Sequence, residues 1–191
     1  MPKPVSTEII KKAANGDQLA FRQIVESHQG FVYALAYRMV GNAEDAEDIT
    51  QDAFVRLWKH LPKYRSGVKV STWLYEITTN LSLDLLKSAH HRLGRTRIEE
   101  DNASHVIDVV SAESMVERQE LSEYIKAATD ALPALQKAVF VLRHLQMLSA
   151  EETCQALSMT ADQVKAHLCL ARKSVARTID LIYRIQKKEG L

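Results

Sequence analysis

An all-α fold of two small helical domains is what this sequence predicts, and three observations carry the expectation. Gly and Pro are scarce, six and four among 191 residues, so few positions interrupt a helix. Apolar residues recur at three- and four-residue spacing through most of the first ninety positions. That period fails between about Gly94 and Ser114 and then resumes. The chain therefore divides into residues 1–95, a flexible acidic linker at 96–115, and residues 116–191, the last a helix-turn-helix domain.

Each element follows from a local signal. Thr7 to Asn15 reads as a short helix stopped by Asn15-Gly16. Asp17 caps a helix that carries Leu19, Ala20 and Ile24 and runs to His28. Phe31 to Val40 reads as a separate buried helix ended by Gly41-Asn42. An acidic helix spans Ala43 to His60 and closes at Pro62. Lys63 to Val70, with Gly67, is a loop, and Ser71 or Thr72 caps a long helix to His90. Beyond the linker the helical pattern resumes at Glu113 and breaks at Pro133. A helix from Ala134 to Gln146 and two more complete the second domain.

Composition narrows the function classes. No run of 18 apolar residues exists, so neither a membrane span nor direct membrane insertion is expected. Met1-Pro-Lys-Pro-Val-Ser has no apolar core or cleavage site, which points to a cytoplasmic protein. Cys154 and Cys169 stand at no metal-ligand spacing, and Cys154 reads as a small buried side chain. His90-His91 is adjacent rather than i, i+4, so no metal site is expected. No nucleophile elbow, Gly-rich phosphate loop or H-E-x-x-H occurs; no catalytic residue, cofactor or small-molecule substrate is expected.

The net charge of +1 argues against a protein that coats nucleic acid indiscriminately. Its distribution is uneven. Lys87 to Arg97 holds four bases and no acid, Glu99 to Glu123 eight acids and one base, and Ala161 to Glu189 seven bases and three acids. Such alternation suggests surfaces with different partners.

Three stretches carry the functional signal. On the acidic helix, Ala46, Ile49, Ala53 and Leu57 fall on one face, and Asp45, Asp48, Gln51 and Asp52 on a neighbouring one. The second face can meet a row of arginines, although acids near a helix N-terminus are also a common solvated pattern. On the next helix, Trp73, Ile77, Leu81 and Leu85 read as core. Glu76, Asn80, Asp84, Lys87 and His91 form a polar stripe suited to base edges, with a basic end for phosphates. Further on, Ser149 to Glu152 and Thr160 to Gln163 are two capping boxes around the turn Leu157-Ser-Met-Thr. Cys154, Ala156, Leu157, Val164 and Leu168 are placed to pack the two flanking helices together. That is a helix-turn-helix or a plain αα-hairpin.

Taken together, Asp45-Ala-Glu-Asp-Ile-Thr-Gln-Asp-Ala-Phe54, Leu57-Trp58 and Ser71-Thr-Trp-Leu-Tyr-Glu-Ile-Thr-Thr-Asn80 resemble region 2 of extracytoplasmic-function (ECF) sigma factors. Ala131 through Arg143, with the segment to Lys173, resembles sigma region 4. The resemblance implies that Asp45, Asp48, Gln51 and Asp52 dock on the β′ clamp helices of core RNA polymerase. It implies that Tyr64 to Ser71 is a loop capturing a flipped base of the −10 element, a step costing a few kcal/mol that the receiving pocket offsets. Tyr64, Arg65, Ser71, Trp73, Asn80, Asp84, Lys87, His91, Arg92 and Arg95 would meet that DNA. Thr160, Gln163, Lys165, Ala166 and His167 would read the −35 element, with Arg172 and Lys173 on phosphates. The β flap and an anti-sigma factor are further implied partners, and the acidic linker would enter a basic polymerase channel.

The chain also departs from the family pattern. Tyr64-Arg65 and Val70 stand where phenylalanines are common, and His167 and Leu170 replace two arginines. Fewer fixed cations predict modest affinity for isolated DNA with a shallow salt dependence. Two other readings explain less. A helix-turn-helix regulator with an N-terminal sensing or dimerisation domain leaves the Asp45–Asp52 face without a role, and a helical protein-interaction module leaves the helix-turn-helix unused.

Overall fold

In the computed structural model, which describes residues 5–64, 69–94 and 116–189, every described element is helical. Helix α1 spans Thr7–Ala14, α2 Gln18–Val40, α3 Ala43–His60, and α4 Val70–Gly94, with a 3-10 turn at Leu61–Lys63. Helix α5 spans Val116–Asp130, α6 Ala134–Phe140, α7 Ala150–Leu157 and α8 Ala161–Glu189. The expected linker, 96–115, lies outside the described residues, so its flexibility is not addressed by the fold.

Local chemistry sets most boundaries. Ser6, Asp17, Asn42 and Ser149 each accept a backbone N–H three residues on, capping α1, α2, α3 and α7. Gly41 ends α2 in the left-handed conformation, φ 85°, which only Gly adopts without strain. Two expectations need correction. Helix α2 runs unbroken from Gln18 to Val40 through Gly30, because Ile24, Val32 and Leu35 anchor both halves. That anchoring outweighs the roughly 1 kcal/mol a mid-helix Gly costs. On this helix Leu19 faces solvent, at 73% exposure. Helix α4 starts at Val70, so Ser71 and Thr72 lie within its first turn instead of capping it.

Helices α1 to α4 enclose one apolar core. Ile24, Val32, Ala36, Ala46, Ala53, Leu57, Leu61 and Leu74 are fully buried there. Each large side chain contributes about 1.5–3 kcal/mol by leaving water. The face Ala46, Ile49, Ala53 and Leu57 turns inward as its spacing predicts. A second cluster joins Ala128, Leu132 and Phe140 to Ala171 and Val175, pinning α8 to α5 and α6.

A third cluster crosses between the two domains. Leu35 and Met39 of α2 and Leu83 of α4 pack with Ala138, Val141, Leu142, Leu148 and Ala156 from the second domain. Beside it, Gly41 lies so near α5 that a Cβ there would come 3.7 Å from the Asp130 carboxylate. Asp130 also holds the buried Lys137 at 2.7 Å. Helix α6 does not continue to Gln146 as a plain α-helix. It widens into a π turn at Val141–Leu145, where Gln146 donates its N–H five residues back to Val141.

Candidate functional site

Helix α3 presents its acidic face outward. Asp48, Gln51 and Asp52 are exposed, one turn or less apart, while their neighbours Ile49 and Ala53 are buried. Asp45 is different. It is half-buried, and its carboxylate accepts from Asn42 Nδ2 at 2.6 Å, so it also secures the start of the helix. Toward the C-terminal end the face runs into an apolar hollow of about 340 Å³ lined by Gln18, Phe21, Phe54, Val55 and Trp58. The Phe21 and Trp58 rings lie 4.7 Å apart at its wall.

Helix α4 carries the second surface. Asn80, Asp84 and Lys87 are exposed on one side, and Glu76 is half-buried. Opposite them Leu74 and Leu81 are buried, and Trp73, Ile77 and Leu85 pack against the same core. Tyr64 leads toward this helix and sets its ring 6.0 Å from that of Trp73, edge to face. Tyr64 and Trp73 are thus both half-buried structural supports. Ser71 is half-buried in the first turn. Arg65 and Arg95 lie outside the described residues, and for His91 and Arg92 only the helix backbone is described.

The helix-turn-helix forms as its two capping boxes predict. Ser149 and Glu152 exchange bonds of 3.1 and 2.8 Å, and Thr160 and Gln163 exchange bonds of 3.3 and 2.9 Å. Glu152's carboxyl is held below the usual range, first by the Ser149 backbone N–H and also by Lys69. Ser158 makes the turn in the left-handed conformation, and Ala156 and Val164 close the helix pair. Cys154 is half-buried. Thr160, just before α8, and Gln163, Lys165, Ala166, Arg172 and Lys173 on it are exposed. Gln163 Oε1 is taken by the cap, which leaves its amide donors outward. His167 is the exception. It turns partly inward, and its Nδ1 is buried without a partner among the described residues.

The two surfaces sit on domains in contact. Lys69, just before α4, faces Glu152 at the start of α7. Tyr75 of α4 is raised above its ordinary pKa, first by burial and then by the Glu152 carboxylate, with Arg38 opposing. Among the described residues no group of three or more metal-ligating side chains gathers, and no helix is long and apolar enough to cross a membrane.

An acidic outward helix, a polar-faced helix after it and a helix-turn-helix in the second domain match known proteins in that order. The sigma-70 region 2 family matches residues 24–92, and sigma-70 region 4 matches residues 122–175. The ECF RNA polymerase sigma factor SigW of Bacillus subtilis is 32% identical over 176 residues, covering 89% of this chain and 94% of that protein. This chain belongs to the ECF sigma factors. The SigE factor of Mycolicibacterium smegmatis is 34% identical over 179 residues, covering 91% of this chain and 67% of that protein. Two solved structures share the fold. CnrH, in complex with the cytosolic domain of CnrY, has TM-score 0.64 at 24% identity, covering 91% of this chain and 96% of CnrH. RpoE from Bartonella quintana, in complex with the anti-sigma factor NepR, has TM-score 0.63 at 18% identity over 84% of this chain and 96% of RpoE.

Some features carried no sequence signal. Helical period marks Leu35, Met39 and Leu83 as buried without naming the surface they meet. The π turn and the bond from Arg172 Nε to His144 Nε2, 2.9 Å long and 28 residues apart in sequence, are equally silent in the pattern.

Proposed function

We propose that this ECF sigma factor binds core RNA polymerase through the outer face of α3 and directs initiation by reading two promoter elements. Asp48, Gln51 and Asp52, with Asp45 at the helix start, meet arginines on the β′ clamp helices, and the adjoining hollow takes an apolar side chain from the same partner. Residues 1–95 form the module that opens and reads the −10 element, through Asn80, Asp84 and Lys87 and the loop before α4. Residues 116–191 read the −35 element through the exposed start of α8 and contact the β flap. The protein acts by binding alone, with no cofactor and no chemistry of its own, in the cytoplasm where polymerase works. An anti-sigma factor is its expected inhibitor.

The observation that supports this best is the exposure of Asp48, Gln51 and Asp52 over buried Ile49 and Ala53, on a chain whose relatives are sigma factors. The reading also sets a distance. Elements 25 positions apart on B-DNA are separated by about 85 Å at 3.4 Å per base pair. Two domains sharing one apolar cluster must therefore part on the promoter. A linker of 20 residues, 96–115, can reach about 70 Å when extended.

Run-off transcription with purified core polymerase tests the proposal. The wild type should give promoter-dependent transcripts, and an Asp48→Arg, Asp52→Arg variant of unchanged helicity should lose at least tenfold in core affinity and transcript yield. A wild type that fails to bind core would overturn the reading.

A further inference from the structure

The π turn at Val141–Leu145 delivers His144 to the side of α8. There the imidazole is held between two neighbours. The Phe140 ring lies 4.9 Å from it, and Arg172 Nε donates to its Nε2 at 2.9 Å. Accepting at Nε2 requires the neutral ring with its proton on Nδ1. Burial lowers the His144 pKa, and the nearby Arg172 and Arg143 cations lower it further. The arginine side of the contact matters equally. A seven-residue spacing places Arg172 on the same side of α8 as Lys165, and both are exposed. With Nε engaged, the two terminal nitrogens remain, and these form the fork that grips a phosphate.

We propose that His144 is a positioning residue: it fixes Arg172 on α8 so that the guanidinium fork meets a DNA phosphate beside the major-groove contacts of the second domain. This rests on the reading of that domain as a DNA reader. An unheld arginine on a helix surface must surrender its rotamer freedom when it binds, whereas Arg172 has already surrendered it. The gain is one reliable phosphate contact on a helix where His167 and Leu170 supply no such cation.

The test uses the full chain with core polymerase, on a duplex selected by the wild-type holoenzyme from a random-sequence pool, with affinity measured across salt concentrations. His144→Phe keeps the packing on Phe140 but accepts no hydrogen bond. It should weaken binding about five- to tenfold with the salt slope nearly unchanged, because the unheld Arg172 still reaches the phosphate at an entropic cost. Arg172→Ala should weaken binding at least as much and lower the salt slope by about 1, and the double variant should lose no more than Arg172→Ala alone. His144→Gln, whose Oε1 can replace Nε2, should restore most of the affinity. Arg172→Lys approaches the pair from the other side, keeping the charge without the Nε–H donor, and should bind as weakly as His144→Phe. Losses that add in the double variant, or a His144→Phe protein that binds like the wild type while Arg172→Ala does not, would overturn the proposal. Wild-type affinity from Arg172→Lys would overturn it as well. Failure of the wild-type holoenzyme to select any duplex would instead overturn the promoter-reading function beneath it.

Discussion

The first domain's core and the seam between the domains are both apolar clusters, but they are built differently. In the core, Ile24, Val32, Leu57, Leu61 and Leu74 come from three helices and the 3-10 turn and are all fully buried. In the seam, Leu83 lies on a stripe with Tyr75, Thr79 and Leu86, and Thr79 is fully buried with no partner for its hydroxyl among the described residues. The Gln146 amide nitrogen, at the end of the π turn, is likewise buried and without a partner among the described residues. Each such orphan costs about 1–3 kcal/mol. Core and seam each hold one such threonine hydroxyl, since Thr78 beside the core residues Leu74 and Leu81 is also fully buried without a partner among the described residues. The seam side adds the Gln146 amide. On the proposed reading the factor stays folded while its two reading surfaces separate, and the smaller seam is the contact that opens.

Substitutions of one leucine in each region should separate the two roles. Leu57→Ala leaves a cavity in the core and should cost about 3 kcal/mol of unfolding free energy, read in urea, with the first domain unfolding as a unit. Leu83→Asp places a carboxylate in the seam. It should raise the radius of gyration in small-angle scattering while helicity and the α3 surface persist. Loss of helicity in Leu83→Asp comparable to that in Leu57→Ala would mean that seam and core are one indivisible structure, and the comparison would fail.

Acid should act on the core. His28 is buried in the first domain, its Nδ1 within 2.9 Å of the Ile24 carbonyl and its ring against Phe31. Burial holds its folded pKa below the ordinary 6.5, with the Ile24 bond opposing. The folded state therefore binds fewer protons than the unfolded chain, so stability is fully present above about pH 6.5 and declines as the pH falls below it. One proton sets a ceiling of about 1.4 kcal/mol per pH unit. The urea midpoint of the first domain should fall between pH 7.5 and pH 5.5 by more in the wild type than in His28→Gln (both pH values spanning the roughly 6.5 reference). Equal slopes would remove His28 from the account.

The difference between core and seam also marks where the sequence could be read. The α3 faces, both capping boxes and the break at Pro133 were legible because period and caps are local. The break placed between His28 and Phe31 does not occur, because the helix-weakening Gly30 there is overridden by burial on either side of it. The seam was not legible, since period says that Leu35, Met39 and Leu83 are buried but not that a second domain buries them. His167 was placed on the exposed face that a helix-turn-helix turns to base edges, yet it turns partly inward. The contact between His144 and Arg172 depends on a π turn that alters the helix phase, and no three- or four-residue spacing announces it.

The smallest expected effect is the one that tests the seam's character most directly. Thr79→Val replaces a hydroxyl that has no partner among the described residues with a methyl group of nearly the same size at a fully buried position. If the seam is weakened by its polar orphans, the variant should be more stable than the wild type by about 1 kcal/mol, because the desolvation cost disappears and apolar burial is gained. The gain should appear as a closed state that is harder to part, so holoenzyme assembly should slow while the first domain's own urea midpoint stays nearly unchanged. Stabilisation with slower assembly ties the orphan hydroxyl to the ease of opening. Destabilisation would show that the Thr79 hydroxyl meets a water or another partner, and that the seam closes as completely as the core.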